Sequence, residues 1–203
     1  MATAPSLALS RRWSAIVLVP LMLLLGSCGI NTIPTLEERA DAAWAEVLNQ
    51  YQRRADLVPN LVETVRGYAQ HEREVLEAVT EARSRVGQMQ LPPDVTEDPE
   101  AFRRFQENQQ ALTGALSRLI AVAEAYPDLK ANQNFLALQS QLEGTENRIA
   151  VARRDYIEAV RQYNTELRTI PGRWWAAFLY PDAEPKQNFT VAEGTEAAPK
   201  VTF

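Results

Sequence analysis

Leu36-EERADAAWAEVLNQYQRRADLVPNLVETV-Arg66 is the stretch that decides the fold. Its apolar positions are Leu36, Ala40, Trp44, Val47, Tyr51, Ala55 and Val58, and the stripe continues through Val62, Val65, Ala69, Leu76, Val79 and Val86. Apolar residues recurring at this interval line one face of an α-helix. A step near 3.5 residues predicts nearly antiparallel, left-handed packing of helix on helix. Thr35 and Glu38, behind Pro34, have the spacing of a capping box and place a helix start there. Pro59 divides the reading. A proline inside a helix removes a backbone hydrogen bond and crowds the preceding turn, so residues 36–88 form either one helix kinked at Pro59 or two helices. The stripe keeps its phase and no glycine offers a tight turn, which favours a kink. A continuous helix would be ~80 Å long, which favours a reversal near Asp56–Pro59.

Working outward, Gln88-MQLPPDVTED-Pro99 breaks the stripe with three prolines, and Asp98 can cap a helix that has Pro99 at its first position. That helix reads Phe102, Phe105, Leu112, Leu116, Leu119, Ala123 and Tyr126, and Pro127 stops it. Asn132 can cap a further helix carrying Phe135, Leu138, Leu142, Ile149, Ala152, Tyr156, Tyr163, Leu167 and Ile170 on one side, ended by Pro171-Gly172 and ~58 Å long. The chain is therefore all-α, an antiparallel up-and-down four-helix bundle, or three long helices with the first kinked at Pro59. Residues 35–180 form one domain. Residues 181–203, rich in Glu, Ala, Thr, Pro and Gly, read as a flexible tail.

The N-terminus reads as a processing signal. Arg11 and Arg12 precede the apolar run Trp13 to Leu25, and Leu25-Gly26-Ser27-Cys28 follows. This arrangement resembles the lipobox of bacterial lipoproteins, in which the cysteine is acylated and becomes the mature first residue. It implies a signal peptide over 1–27, a lipid-attached Cys28 and a tether over 28–34. An uncleaved membrane anchor is the alternative, although the apolar run falls short of the ~20 residues a spanning helix needs. A single exported cysteine cannot form an internal disulfide, so lipidation supplies a use for it. In Gram-negative lipoproteins an aspartate after the cysteine favours the inner membrane. Gly29 stands there instead, so in such an organism the outer membrane, facing the periplasm, is the expected address.

Charge and residue inventory narrow the function. Without residues 1–27 the chain has 19 Lys and Arg against 26 Asp and Glu, a net charge of −7. Nucleic-acid binding and polybasic attachment to anionic lipid are unsupported. His71 is the only histidine, and His71-Glu72-Arg73-Glu74-Val75 fails as H-E-x-x-H. One histidine cannot furnish the two Glu-x-x-His motifs of a di-iron bundle. The serines lack a G-x-S-x-G elbow, and the eight glycines are scattered rather than gathered into a phosphate loop. Neither a catalytic residue nor a cofactor is expected.

Three groups of residues stand out. Glu72, Arg83, Glu146 and Arg153 fall on or beside the apolar stripe, either as rim positions whose heads reach water or as a paired polar layer that fixes register or lines a groove. Arg53, Arg54, Asp56 and Asn60 surround Pro59, as helix-end caps or as a recognition loop. Arg173-WWAAFL-Tyr180 carries Trp174, Trp175, Phe178 and Tyr180. An even number of antiparallel helices sets these aromatics at the end where the chain began, beside the anchor; three helices set them at the far tip. They then plug the bundle end, meet the headgroup interface or bind a partner.

Gln52-RRADLVPNLVETVRGYAQHE-Arg73, Glu143-GTENRIAVARRDY-Ile157 and Tyr163-Asn164-Thr165 resemble the LemA family of bacterial envelope proteins. The resemblance covers most of the chain after residue 30. It implies an N-terminal membrane segment followed by an antiparallel four-helix bundle, and it tips the Pro59 question toward a break. Many members carry only a membrane segment, so Cys28 is a departure that changes the anchor and leaves the core alone. Their genes often lie near those of membrane proteases and small phosphatase-like envelope proteins, which bears on partners. The expected function is a non-enzymatic lipoprotein, held to the membrane through acylated Cys28, whose bundle is an interaction or scaffold module for another envelope protein. The alternative is a small-ligand or lipid carrier with a site between the helices.

Overall fold

Among residues 29–189, which the computed structural model describes, α1 (Thr32–Arg66) runs through Pro59 without a break. It is followed by α2 (Arg73–Gln88), α3 (Pro99–Glu124), the single turn α4 (Pro127–Lys130), α5 (Gln133–Arg168) and α6 (Gly172–Leu179). The described residues contain no strand. Residues 1–28, which include Cys28 and the signal peptide expected over 1–27, and residues 190–203 lie outside the described residues.

The reversal expected near Asp56–Pro59 occurs instead at residues 67–72, where Tyr68 N and Ala69 N both donate to Val65 O and Glu72 N donates to Ala69 O. The physical reason is visible at Ala55. Proline at 59 has no N–H to offer the carbonyl four residues earlier. Arg83 of α2 supplies the missing donor, its Nε reaching Ala55 O at 3.2 Å. Pro59 itself is exposed, so its ring does not intrude on the core. A donor from the neighbouring helix thus repairs the helix locally, and α1 extends over 35 residues, ~52 Å.

Local signals elsewhere meet mixed outcomes. Asp98 accepts from Glu100 N and Ala101 N, and Asn132 from Asn134 N and Phe135 N, as their positions predict. The Thr35–Glu38 capping box does not form, because α1 starts at Thr32 behind Asn31 and buries Ile33 completely. The tether expected over 28–34 is shortened accordingly. Pro34 falls in the first turn, where a missing N–H costs nothing.

Cross-helix contacts give the topology. Arg39 meets Gln162 and Arg54 meets Glu146, so α1 and α5 are antiparallel. Glu72 meets Tyr126 and Met89 meets Asn108, so α2 and α3 are antiparallel as well. The passes run up, down, up and down, and the chain returns to the end where it started. Because α2 has only 16 residues, it lines just the distal half. In the proximal half its place is taken by the loop after it, whose Val95 and Thr96 are buried, and by residues 186–189. The flexible tail expected from residue 181 therefore does not hold for the segment up to Phe189, which packs into the core.

Two apolar clusters fill the interior. The distal one runs from Val58, Leu61 and Val65 to Leu76, Val79, Leu112, Leu119, Phe135 and Leu142. The proximal one is built on Trp44, whose ring lies 5.0–5.5 Å from those of Phe102, Phe105 and Tyr156. Phe189 closes it, 5.1 Å from Phe102 and 5.6 Å from Tyr156. Such offset and edge-on contacts add to the burial of the rings themselves.

Candidate functional site

Between the two clusters lies one polar layer. On α1 the apolar positions Tyr51 and Val58 flank Arg54; on α3 Phe105 and Leu112 flank Gln109; on α5 Leu142 and Ile149 flank Thr145 and Glu146. Helical periodicity thus brings three interruptions of the stripe to one height. Arg54 is 1% exposed. Its Nη1 donates to Thr113 Oγ1 at 2.7 Å and Glu146 Oε1 at 2.9 Å, and its Nη2 to Gln109 Oε1 at 2.7 Å and Gln109 O at 3.1 Å. A buried guanidinium is tolerated only with such a set of acceptors. The layer also fixes register, since sliding α5 by one turn would strand the charge.

A solvent-facing cleft of about 420 Å³ opens onto this layer between α1, α3 and α5, so that Arg54, Gln109, Thr113 and Glu146 line it together with Tyr51, Gln106, Gln110, Ile149, Arg153 and Phe189. Arg153 does not pair with Glu146. Its guanidinium carbon sits 4.4 Å from the centroid of Phe189, a cation–π arrangement. Burial pushes the Tyr51 phenol up, with Arg153 and Arg54 pulling the other way. The cleft therefore presents one guanidinium that is free of ion pairs among the described residues.

The expected groups separate. Glu146 enters the layer, but its partner is Arg54, from the set placed around Pro59. Arg53, Asp56 and Asn60 are exposed on α1 and form no loop there; Asp56 accepts from Gln52, and the Asn60 carbonyl accepts from Thr64. Glu72 is at the distal end, accepting from the Tyr126 hydroxyl at 3.1 Å and pushing that phenol up. Arg83 caps Ala55 O. His71 is exposed in the 67–72 connection. Gln109 and Thr113 were missed, although Gln109 interrupts the stripe just as Glu146 does.

A second polar cluster holds the C-terminal segment. Lys186, 5% exposed, places Nζ 3.0 Å from both Asp41 Oδ1 and Glu97 Oε1. Asn164 brackets its backbone, donating Nδ2 to Lys186 O at 2.8 Å and accepting Lys186 N at 2.9 Å. Tyr156 donates to Gln187 O at 2.8 Å. Burial opposes the Lys186 charge, but the two carboxylates outweigh it and raise its pKa. Asn164 belongs to the Tyr-Asn-Thr motif, and its work here is to clamp this strap.

The aromatics of α6 are divided. Trp175 is half-buried near Gly29, whereas Trp174 and Phe178 are exposed and Tyr180 is intermediate. Gly172 begins α6 in close contact with the Glu166 carbonyl and carboxylate, with no room for a Cβ.

Fold and layer together define a class: an up-and-down helical bundle stabilised by an internal Arg-centred polar layer. The chain belongs to the LemA family, which matches residues 43–203. Magnetosome proteins MamQ 1 and MamQ 2 of Paramagnetospirillum magneticum are each 37% identical to it over 62 residues, 30% of this chain and 23% of theirs. The match thus spans under a quarter of those relatives. Family and relatives point to a membrane-associated bacterial envelope protein. Among the described residues no helix is long and apolar enough to cross a membrane.

Proposed function

We propose that this is a lipoprotein of the bacterial envelope, anchored through acylated Cys28, whose bundle stands on the membrane as an interaction or scaffold module for another envelope protein and performs no chemistry of its own. The observation that carries the reading is the commitment of the interior. The aromatic residues fill the proximal core, and the buried charges Arg54 and Lys186 are spent on internal acceptors, which leaves the outer surface for recognition. LemA membership and the short likeness to magnetosome proteins support membrane association. In a Gram-negative host Gly29 favours the outer membrane, facing the periplasm. The carrier alternative draws on the cleft at Arg153, which is open to solvent and offers a guanidinium to a small anionic ligand. Mild solubilisation of native membranes, followed by cross-linking and mass spectrometry, tests both. A stoichiometric protein partner and an acylated N-terminal Cys28 support the proposal; a small anionic ligand or lipid without a protein partner favours the carrier. An unmodified thiol on a chain that retains residues 1–27 refutes the lipoprotein anchor.

A further inference from the structure

Half of the exposed large apolar residues of the described chain lie within ten positions of each other: Ile170, Trp174, Phe178 and Leu179, at 65%, 54%, 80% and 50% exposure. Of the others, Tyr68 sits in the 67–72 connection, and Leu136, Val151 and Ile157 are spaced along α5. Scattered single residues need no explanation, whereas a gathered patch does. Trp174 and Phe178 are four apart on α6 and share one face. Gly172, packed closely on Glu166, lies on the far side of the helix; half-buried Trp175 borders the exposed face, and Leu179 extends the apolar surface at the helix end.

Position says what covers the patch. Four antiparallel passes return the chain to its starting end, and a Cβ on Gly29 would lie 3.8 Å from Trp175 Nε1. The polypeptide continues from Gly29 to Cys28 and the apolar run before it. An acylated Cys28 or a retained apolar anchor each brings lipid to within one or a few residues of Gly29, ~3.6 Å per residue at most. Any protein seated on this patch would compete with that lipid. Exposed Arg168 and Arg173 are balanced nearby in sequence by exposed Asp182 and Glu184, so the attraction is apolar rather than electrostatic. Indole and phenyl rings on a short helix suit the headgroup and upper acyl region.

We infer that Ile170, Trp174, Phe178 and Leu179 form a second, non-covalent membrane contact that docks the base of the bundle on the bilayer and sets its orientation. This rests on the membrane association proposed above, and it holds for either form of anchor. The full chain, purified from membranes and reconstituted in phosphatidylcholine vesicles, is compared with Trp174→Phe; the difference in emission isolates Trp174 while the other tryptophans cancel. Lipids brominated near the headgroup should quench that difference at least ~2-fold, deep bromines less, and aqueous iodide little. A signal open to iodide and untouched by bromine would place the patch in water and overturn the inference. Shielding from both would show a protein covering it, and would overturn it equally. Phe178→Ser, at an exposed position that leaves the core intact, should reduce shallow quenching; unchanged quenching in that variant counts against the docking face. The N-terminal mass separates the two ideas, since an acylated Cys28 without quenching refutes docking alone, and quenching with an unacylated chain refutes the lipoprotein alone.

Discussion

Arg83→Ala should destabilise the bundle chiefly because Pro59 is present, a coupling across 24 residues that the contact at Ala55 explains. In an unbroken α-helix the Ala55 carbonyl would accept from the N–H of residue 59. Proline lacks it, and the 3.2 Å bond from Arg83 Nε takes its place. A hydrogen bond with one charged partner contributes ~1.5–3 kcal/mol. Arg83 is exposed along much of its length, and water can partly replace it at the carbonyl, so the expected loss is about 1–2 kcal/mol. With Pro59→Ala the carbonyl regains its own helical donor, and Arg83→Ala then costs no more than the ~0.5 kcal/mol of an ordinary surface change. The double-mutant cycle therefore has a coupling energy of about 1 kcal/mol or more, and effects of proline on the unfolded chain cancel within it. Urea denaturation of the four proteins, followed by circular dichroism, measures it. Additivity within ~0.3 kcal/mol would refute the claim that Arg83 is what carries α1 through Pro59.

Glu146→Leu should cost about 2–3 kcal/mol by stranding the buried Arg54 charge, less than the full penalty because Gln109 and Thr113 keep their contacts; the double variant with Arg54→Met should recover part of it, and a double variant less stable than Glu146→Leu alone would contradict the pairing. Arg153→Met, which breaks no ion pair among the described residues, should change unfolding by ~1 kcal/mol or less in the same titrations. The stability that Tyr156 and Lys186 contribute should be full below about pH 10 and fall as pH rises beyond it. Burial, with Asp41 and Glu97, raises the Tyr156 pKa, and the two carboxylates raise that of Lys186, so the folded state keeps protons the unfolded chain releases near the ordinary values of 10.0 and 10.5. Thermal melts across that range should show a shallower alkaline fall in Lys186→Met. Asn164→Ala should raise hydrogen exchange at residues 186–187 while leaving the distal cluster protected, because it removes both bonds that bracket the strap; unchanged exchange there would show that the strap is held by other contacts.

The amino-acid sequence alone determined what depends on neighbours within about two helical turns. The apolar stripes marked every long helix and most of the core, from Trp44 to Tyr163, because the 3.6-residue period is a property of the local backbone. Asp98 and Asn132 were legible as caps because the amides they serve are two and three positions away. The return of the chain to its starting end stayed open in the sequence, which allowed four helices or three with the first kinked, and the four long passes of the fold decide it. Tertiary structure decided the rest, each case through a partner remote in sequence. The path through Pro59 depends on a guanidinium 28 residues beyond the carbonyl it serves. Arg54 looked like part of a loop beside a proline, and only the height at which α3 and α5 pass it makes Gln109, Thr113 and Glu146 its partners. Residues 186–189 have the composition of a tail. Asp41, Glu97 and Asn164, drawn from α1, the 89–98 loop and α5, turn them into core, because a buried lysine becomes favourable only when two carboxylates from distant segments converge on it.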